Sequence, residues 1–351
     1  MLYNSWVKSW LYIGLIMVFF QIVIGGVTRL TGSGLSITKW EIVTGTIPPM
    51  NEEAWDKEFD LYKVTPQYQK INEGMSMSEF KWIYFWEYFH RLWARSMGFV
   101  FLFGFIFFVI KKWIDKDLIL KLSWVIVFAM IAATFGWIMV ASGLTERPWV
   151  NAYKLALHLG IALLVYAALF NTVLWSHFRE EKLPVSLTFS KHTKMILVLL
   201  CVQLFVGGIM SGMKAGLFYP TWPDMNGEFF PQVVFNINEW TVDNFNNYDQ
   251  NSMVAGLVQL IHRMLAYLLI ISSLYYIYAA KKEQIRGHLS KGLNMFITLL
   301  VIQVLLGILT VINCKGSIPI FLGVMHQAVA VLLLTSLLYI YIRQNAVIEK
   351  S

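Results

Sequence analysis

The chain has 351 residues, of which 57% are hydrophobic and only 14% are charged. A soluble domain carries about 25% charged residues, and a water-soluble fold of this size could not hide so much apolar surface. These values exclude a soluble enzyme, a disordered chain and a disulfide-stapled secreted domain, which leaves an integral membrane protein. The formal charge of +7 therefore indicates basic residues facing the cytoplasm, with no nucleic-acid partner.

Eight stretches are apolar and long enough to cross a hydrocarbon core about 30 Å thick, which takes about 20 helical residues. We predict spans 1 to 8 at residues 9–28, 82–110, 122–142, 153–175, 194–212, 253–279, 292–313 and 318–342. Span 1 lacks a small-residue cleavage site, and no Arg/Ser-rich transit segment is visible. We therefore interpret span 1 as a retained helix of a bacterial inner-membrane protein.

Basic residues concentrate in alternate connections between the spans. The connections 2–3, 4–5 and 6–7 carry clusters of Lys and Arg, whereas the opposite connections are poor in bases and the loop 1–2 is net acidic. The positive-inside rule then puts both termini in the cytoplasm and the long loops outside.

The long outer loop 29–81 contains a candidate amphipathic helix. Asn51 is a cap residue followed by two glutamates, and Trp55, Phe59 and Tyr62 would share one face of the helix. The pattern fits a helix that lies on the outer surface or covers a site, and it fits an ordinary surface helix equally well.

The two halves of the chain resemble each other. QIVIGGVTRLTGSGL at 21–35 matches QLFVGGIMSGMKAGL at 203–217, HRLWA at 90–94 matches HRMLA at 262–266, and LALHLGIALL at 155–164 resembles GVMHQAVAVL at 323–332. We therefore predict an all-α integral membrane protein whose eight transmembrane helices form two duplicated four-helix bundles, at 1–180 and 181–351. An even number of spans per repeat keeps the two repeats in the same orientation.

Four of the seven histidines lie within the even-numbered spans, and these are His90, His158, His262 and His326. Ionisable groups inside a membrane are costly and are functional candidates by default. Each histidine lies seven to ten residues past the outer start of its span, which is about 10–15 Å deep at about 1.5 Å per residue. All four are therefore expected at one level in the outer half of the bilayer.

Two neutral imidazoles that face each other inside a helical bundle are typical of bis-histidine haem ligation. The repeats would provide two such sites, one from His90 and His158 and one from His262 and His326. The sequence leaves open a pairing across the halves, such as His90 with His262. Zinc is less favoured because no third ligand repeats beside each pair, and a proton relay is a further alternative.

Arg91 and Arg263 directly follow a histidine in each repeat. Haem propionates would give these guanidinium groups an anionic partner, and a protein carboxylate is the alternative. Glu87 lies one helical turn before His90, whereas Gln259 takes its place in the second repeat. We therefore expect chemistry in the first half, with Glu87 as a general acid/base or electrostatic stabiliser, and electron transfer in the second half. A structural ion pair with Arg91 is the alternative role for Glu87.

Several longer motifs closely resemble haem A synthase, and together they cover nearly the whole chain. They are GGVTRLTGSGLSITKWEIVTGTIPPMNEEAWDKEFDLYK at 25–63, GMSMSEFKWIYFWEYFHRLWAR at 74–95, MVASGL at 139–144, YKLALHLG at 153–160 and GGIMSGMKAGLFYPTWPDMNGEFFPQ at 207–232. The long loop 1–2 resembles that of the branch with mitochondrial and proteobacterial-type enzymes.

The resemblance implies an enzyme that oxidises the C8 methyl of haem O to the formyl group of haem A, through successive hydroxylations and loss of water. The family's E-x-x-H-R motif falls on Glu87, His90 and Arg91, which would be the essential carboxylate, a substrate-haem ligand and its neighbour. The family's fourth-helix histidine falls on His158. The first half would therefore hold haem O as the substrate.

The resemblance also implies a resident haem b in the second half, with His262 and His326 as its axial ligands and Arg263 beside them. The product would supply the haem of aa3-type terminal oxidases. The partners implied are haem O, haem A, the lipid bilayer, haem O synthase and cytochrome oxidase assembly factors.

Some bacterial members of that family carry a cysteine pair in an outer loop, but this chain has just Cys201, in span 5, and Cys314. We therefore expect no disulfide or thiol-shuttle role, and we interpret Cys201 as a packed apolar residue. Trp40 and Trp222 occupy equivalent outer-loop positions, as covers over a haem edge or as interfacial anchors. Two rival functions stay open: a non-catalytic di-haem electron carrier, and a repeat-built transporter with a histidine proton relay.

Overall fold

The computed structural model of the protein describes residues 3–39, 46–144, 147–178 and 182–347. Within these ranges the α-helices are α1 (Ser5–Leu30), α2 (Glu52–Lys63), α3 (Met77–Ile110), α4 (Lys116–Gly143), α5 (Ala152–Phe178), α6 (Leu187–Met213), α7 (Val242–Asn246), α8 (Ser252–Lys282), α9 (Gly287–Ile312) and α10 (Ile320–Arg343). Eight of them, all except α2 and α7, are long and apolar enough to cross a membrane. The predicted all-α, eight-span architecture is confirmed.

The helix α3 begins five residues before the predicted span, because a polar first turn precedes its apolar run. Ser76 and Glu79 form a capping box there. The Ser76 amide donates to the Glu79 carboxylate over 2.9 Å, and the Glu79 amide donates to the Ser76 hydroxyl over 3.3 Å. Capping satisfies amides that the first turn of a helix leaves unpaired, so the helix extends into the polar outer loop.

The chain divides into two compact units, Met1–Leu169 and Phe170–Ser351. The first unit contains α1, α3, α4 and most of α5, and the second contains α6, α8, α9 and α10. The halves inferred from the repeat, 1–180 and 181–351, stay a proposal about the chain's origin.

In the first unit, α1 packs against α3 through bonds from tryptophan indoles. Trp10 donates its indole N–H to the carbonyl of Val100 over 3.1 Å, and Trp93 donates to the carbonyl of Met17 over 2.9 Å. A Cβ at Gly104 would lie 2.2 Å from the indole nitrogen of Trp10, so a glycine is required there. An unpaired N–H in an apolar medium costs several kcal/mol, so these bonds fix how α1 and α3 pair.

The second unit contains a small sheet that the sequence analysis missed. Strand β1 (Leu183–Ser186) pairs in parallel with strand β2 (Gln344–Val347). The Thr193 hydroxyl lies 2.9 Å from the Tyr276 hydroxyl and donates to the Gln344 side-chain carbonyl over 3.1 Å. Because β1 precedes α6 and β2 follows α10, the start of α6 and the end of α10 lie at the same end of this unit, as four spans require.

The predicted helix in the outer loop is present as α2. The Asn51 side chain accepts the amide of Ala54 over 2.8 Å, and the predicted aromatic face packs against the first turns of α3. Phe59 and Tyr62 stack on Phe80, with ring centroids 4.8 and 5.2 Å apart. Burial raises the pKa of Tyr62 to about 12. The aromatic face of α2 therefore contacts protein, which gives this helix a fixed position in the loop.

We predict that Phe59→Ala releases α2 from α3. Removal of a buried phenylalanine ring costs about 3 kcal/mol, which is large for one helix held by a single aromatic face. Trypsin digestion of the detergent-solubilised protein should then cut faster after Lys57 and Lys63. Glu53→Ala changes the exposed side of α2 and is the matched control. Equal cleavage rates in both variants would show that Phe59 does not hold the helix.

Candidate functional site

The two histidines of the first unit each contact the preceding membrane-spanning helix. The side-chain amide nitrogen of Gln21, on α1, lies 2.8 Å from Nε2 of His90 on α3. The carbonyl of Ala132, on α4, lies 3.0 Å from Nδ1 of His158 on α5. An amide nitrogen can donate but not accept, and a carbonyl can accept but not donate. Both imidazoles therefore carry their proton on Nδ1 and a lone pair on Nε2.

The second unit holds its histidines in the same tautomer. The amide nitrogens of Gln203 and Gln303 each lie 3.2 Å from an Nε2, that of His262 and that of His326 respectively. The Nδ1 atom of His262 is buried and has no hydrogen-bond partner among the described residues, whereas His326 also has a hydrogen bond to the backbone of Gln303. All four intramembrane histidines thus have their lone pair on Nε2, one of the two ring nitrogens through which a neutral imidazole can bind a metal.

Each imidazole also rests against a glycine that lies one turn after its holding residue. A Cβ added to any of these glycines would come within 3.3 Å of a histidine ring atom. The distances are 3.3 Å from Gly25 to His90, 2.9 Å from Gly136 to His158, 3.2 Å from Gly207 to His262 and 3.0 Å from Gly307 to His326. Contacts this short would push the imidazole aside. A glycine on the preceding helix is therefore part of each histidine's position.

The sequence analysis missed this holding arrangement. It matched Gln21 with Gln203 and Gly25 with Gly207 as repeat positions, but it gave them no role toward the histidines. The available signal was a glutamine and a glycine four residues apart on the helix before a histidine, which recurs at Gln303. The contact itself joins different helices, so spacing within one helix could not reveal it.

The described residues contain no group of three or more His, Cys, Asp or Glu placed to hold a metal ion. The histidines instead occur in pairs within each unit. The first unit contains His90 and His158, and the second contains His262 and His326. Each unit therefore offers two imidazoles.

Glu87 is buried on α3, with 3% of its surface exposed. One carboxylate oxygen accepts the Ser36 hydroxyl over 2.8 Å and the Ile37 amide over 2.9 Å, and the other accepts Arg91 over 2.6 Å. A buried carboxylate needs such compensation for its lost hydration. The ion pair between Glu87 and Arg91, which was the alternative role expected from the sequence, is present. The hydrogen bond from Ser36 to Glu87 was not predicted.

Arg91 also ties the loop after α1 to α3. It donates to the carbonyls of Lys39 and Ile37 over 3.0 and 3.1 Å. Arg263 does the same in the second unit, where its guanidinium donates over 2.6, 2.7 and 3.3 Å to the carbonyls of Thr221, Asp224 and Pro223. Bonds from the Thr221 hydroxyl and the Gly227 amide, with the charge of Arg263, lower the pKa of the Asp224 carboxyl.

Gln259 occupies the position of Glu87 in the second unit. Its amide nitrogen donates to the carbonyl of Tyr219 over 2.8 Å, and its carbonyl oxygen is buried without a hydrogen-bond partner among the described residues. Ile37 and Tyr219, which Glu87 and Gln259 contact, are themselves equivalent positions 182 residues apart. The two sites therefore share a backbone contact and differ in whether a carboxylate is present.

The remaining candidates lie away from these contacts or outside the described residues. Trp222 is 43% exposed, next to a carbonyl that Arg263 binds, while Trp40 lies outside the described residues. Both cysteines are free thiols. Cys201 is exposed on α6, so the expectation that it is a packed interior residue is wrong: this side of α6 faces outward. Cys314 is buried, and burial raises the pKa of its thiol.

Residues 8–338 match the COX15-CtaA family, which is described as cytochrome oxidase assembly protein. Three bacterial relatives are each named Heme A synthase. The protein of Parvibaculum lavamentivorans is 40% identical, over 93% of this chain and 90% of its own length. Those of Nitrosomonas eutropha and Nitrosospira multiformis are 38% and 37% identical, each over 95% of this chain and 92% of the relative.

These matches extend over both units and contain all four histidines, their holding residues and Glu87. A relative above 30% identity across almost the entire length of both chains has the same architecture. The chain therefore belongs to the COX15-CtaA family of cytochrome oxidase assembly proteins.

Proposed function

We propose that the protein is a haem A synthase, which oxidises the C8 methyl of haem O to a formyl group and so makes haem A for aa3-type terminal oxidases. Family membership and the name shared by its relatives support this reaction. The structural observation that carries it is the buried Glu87, one turn from His90 and held by Arg91, where the second unit has the neutral Gln259.

We assign the iron of substrate haem O to His90 and His158, and the iron of a resident haem b to His262 and His326. The residues fit this group, because all four imidazoles are neutral and have a lone pair on Nε2. Bis-histidine ligation supports one-electron chemistry at haem iron.

Arg91 and Arg263 are proposed to lie at the propionate ends of the haems. Each is the residue directly after a ligand histidine, and each already binds outer-loop carbonyls. A guanidinium in that place supplies positive charge where propionates would need it. The same contacts keep the loop in place over the site and restrict water.

Glu87 is proposed to act on the methyl group as it is oxidised. Where water supplies the oxygen, oxidation of the methyl group to a hydroxymethyl group releases two protons and two electrons, and an external acceptor must take the electrons. A carboxylate in a low-dielectric site can accept a proton or stabilise positive charge that develops at the carbon. Ser36 and the Ile37 amide fix one of its oxygens, so the carboxylate keeps its orientation through successive oxidations.

The alternative is a non-catalytic di-haem carrier of electrons. Electron transfer alone does not require a buried titratable carboxylate beside one haem. The presence of Glu87 where the second unit has Gln259 therefore favours the enzyme. We further propose that the protein lies in the bacterial inner membrane with its haem sites in the outer half, and that haem O synthase and oxidase assembly factors are its partners.

We predict that Glu87→Gln lowers haem A formation by about 10²–10⁴-fold, the range over which a general acid/base contributes. Haem O should accumulate in the variant, and chromatography of extracted haems measures the ratio. Glu73→Gln, which alters an exposed carboxylate of the same outer loop, is the matched control. Full turnover by Glu87→Gln would refute the catalytic role, since glutamine keeps the shape but cannot transfer the proton.

We also predict that His262→Ala and His326→Ala each remove the low-spin spectrum of the resident haem b. The reason is that six-coordinate low-spin iron needs both axial imidazoles. Dithionite-reduced spectra of the purified variants give the measurement. His288→Ala, at an exposed position at the start of α9, should keep the spectrum. A low-spin haem b that survives in either ligand variant contradicts the assignment.

A further inference from the structure

The two histidines of the first unit are held in different ways. His158 donates its Nδ1 proton to the Ala132 carbonyl over 3.0 Å, and the described residues give its Nε2 no hydrogen bond. A metal-binding histidine commonly donates its other ring N–H to a backbone carbonyl, which fixes the ring and raises its basicity. His158 therefore already has the arrangement of a bound ligand.

His90 lacks that arrangement. Its Nε2 accepts the amide of Gln21 over 2.8 Å, so the hydrogen bond uses the lone pair that an iron would need. Gln21 and iron cannot occupy that nitrogen together. Ligation by His90 breaks this hydrogen bond, whereas ligation by His158 breaks none.

The glycine contacts follow the same division. A Cβ at Gly136 would lie 2.9 Å from the His158 ring, and one at Gly25 would lie 3.3 Å from the His90 ring. The His158 ring thus lies closer to the glycine on its neighbouring helix. In the second unit the Nε2 atoms of His262 and His326 each lie 3.2 Å from a glutamine amide nitrogen, and His326 also has a hydrogen bond to the backbone of Gln303.

We propose that His158 binds the iron of the substrate haem first. The hydrogen bond between Gln21 and His90 then breaks when His90 binds the iron, and it forms again when the haem leaves. This inference rests on the proposed function. A substrate site must load and unload, and one fixed ligand with one exchangeable ligand provides an order for both. A resident haem needs no such order.

The test uses the purified full-length protein with its resident haem b and adds haem O. Uptake is followed by absorption spectroscopy, and release is timed by transfer of the haem to excess apomyoglobin. His90→Ala should still bind haem O, as a five-coordinate high-spin complex. His158→Ala should bind it at least about tenfold more weakly. Equal loss in both variants, or the reverse order, overturns the proposal.

Gln21→Leu removes the competing donor but keeps a side chain of similar size. We expect haem O to stay low-spin and to leave about 3- to 10-fold more slowly, which is the effect of one hydrogen bond. Faster release would show that Gln21 supports ligation, and it would overturn the proposal. Gln69→Leu, in the exposed outer loop, should release haem O at the rate of the unmodified protein.

The spectrum of the resident haem b reports whether each variant is folded, because its ligands lie in the second unit. Two failures can then be distinguished. Unmodified protein that keeps haem b but takes up no haem O contradicts the proposed function. Uptake with the wrong dependence on His90, His158 and Gln21 contradicts the order of ligation alone.

Discussion

The cost of a polar group in an apolar medium governs this structure, because unpaired donors and acceptors within the membrane are penalised by several kcal/mol. An imidazole has both a donor and an acceptor, so a histidine inside a span needs a partner on a neighbouring helix. Gln21 and the Ala132 carbonyl meet that need in the first unit. The same partner also selects the tautomer of the ring.

The same constraint explains why the Glu87 site is asymmetric. A buried carboxylate is tolerated where a cation and neutral donors surround it, and here Arg91, Ser36 and the Ile37 amide do so. Gln259 carries no charge, so its site needs no ion pair and leaves Arg263 to the loop carbonyls. Of the three donors around Glu87, the Ser36 hydroxyl has no counterpart in the second unit, where Phe218 takes its place.

Composition and spacing predicted the spans and the helix after Asn51, because each depends on residues close in sequence. The hydrogen bonds from Gln303 to His326 and from Gln21 to His90 join different helices. Such contacts are determined by how the helices pack. The Ser36 bond to Glu87 was missed for the same reason, as was the pairing of β1 with β2. Even the outward position of Cys201 depends on which side of α6 is covered.

The two units share a framework of equivalent contacts. Arg91 and Arg263 bind carbonyls at equivalent loop positions, Lys39 and Thr221, and both repeats hold the first histidine with a glutamine. The backbone before the second histidine also bonds to its ring in both units, from Ala132 to His158 and from Gln303 to His326. The units differ at Glu87 and Gln259, where a carboxylate paired with Arg91 stands in one and a neutral amide in the other, so a single replacement changes the charge of a site without changing its framework.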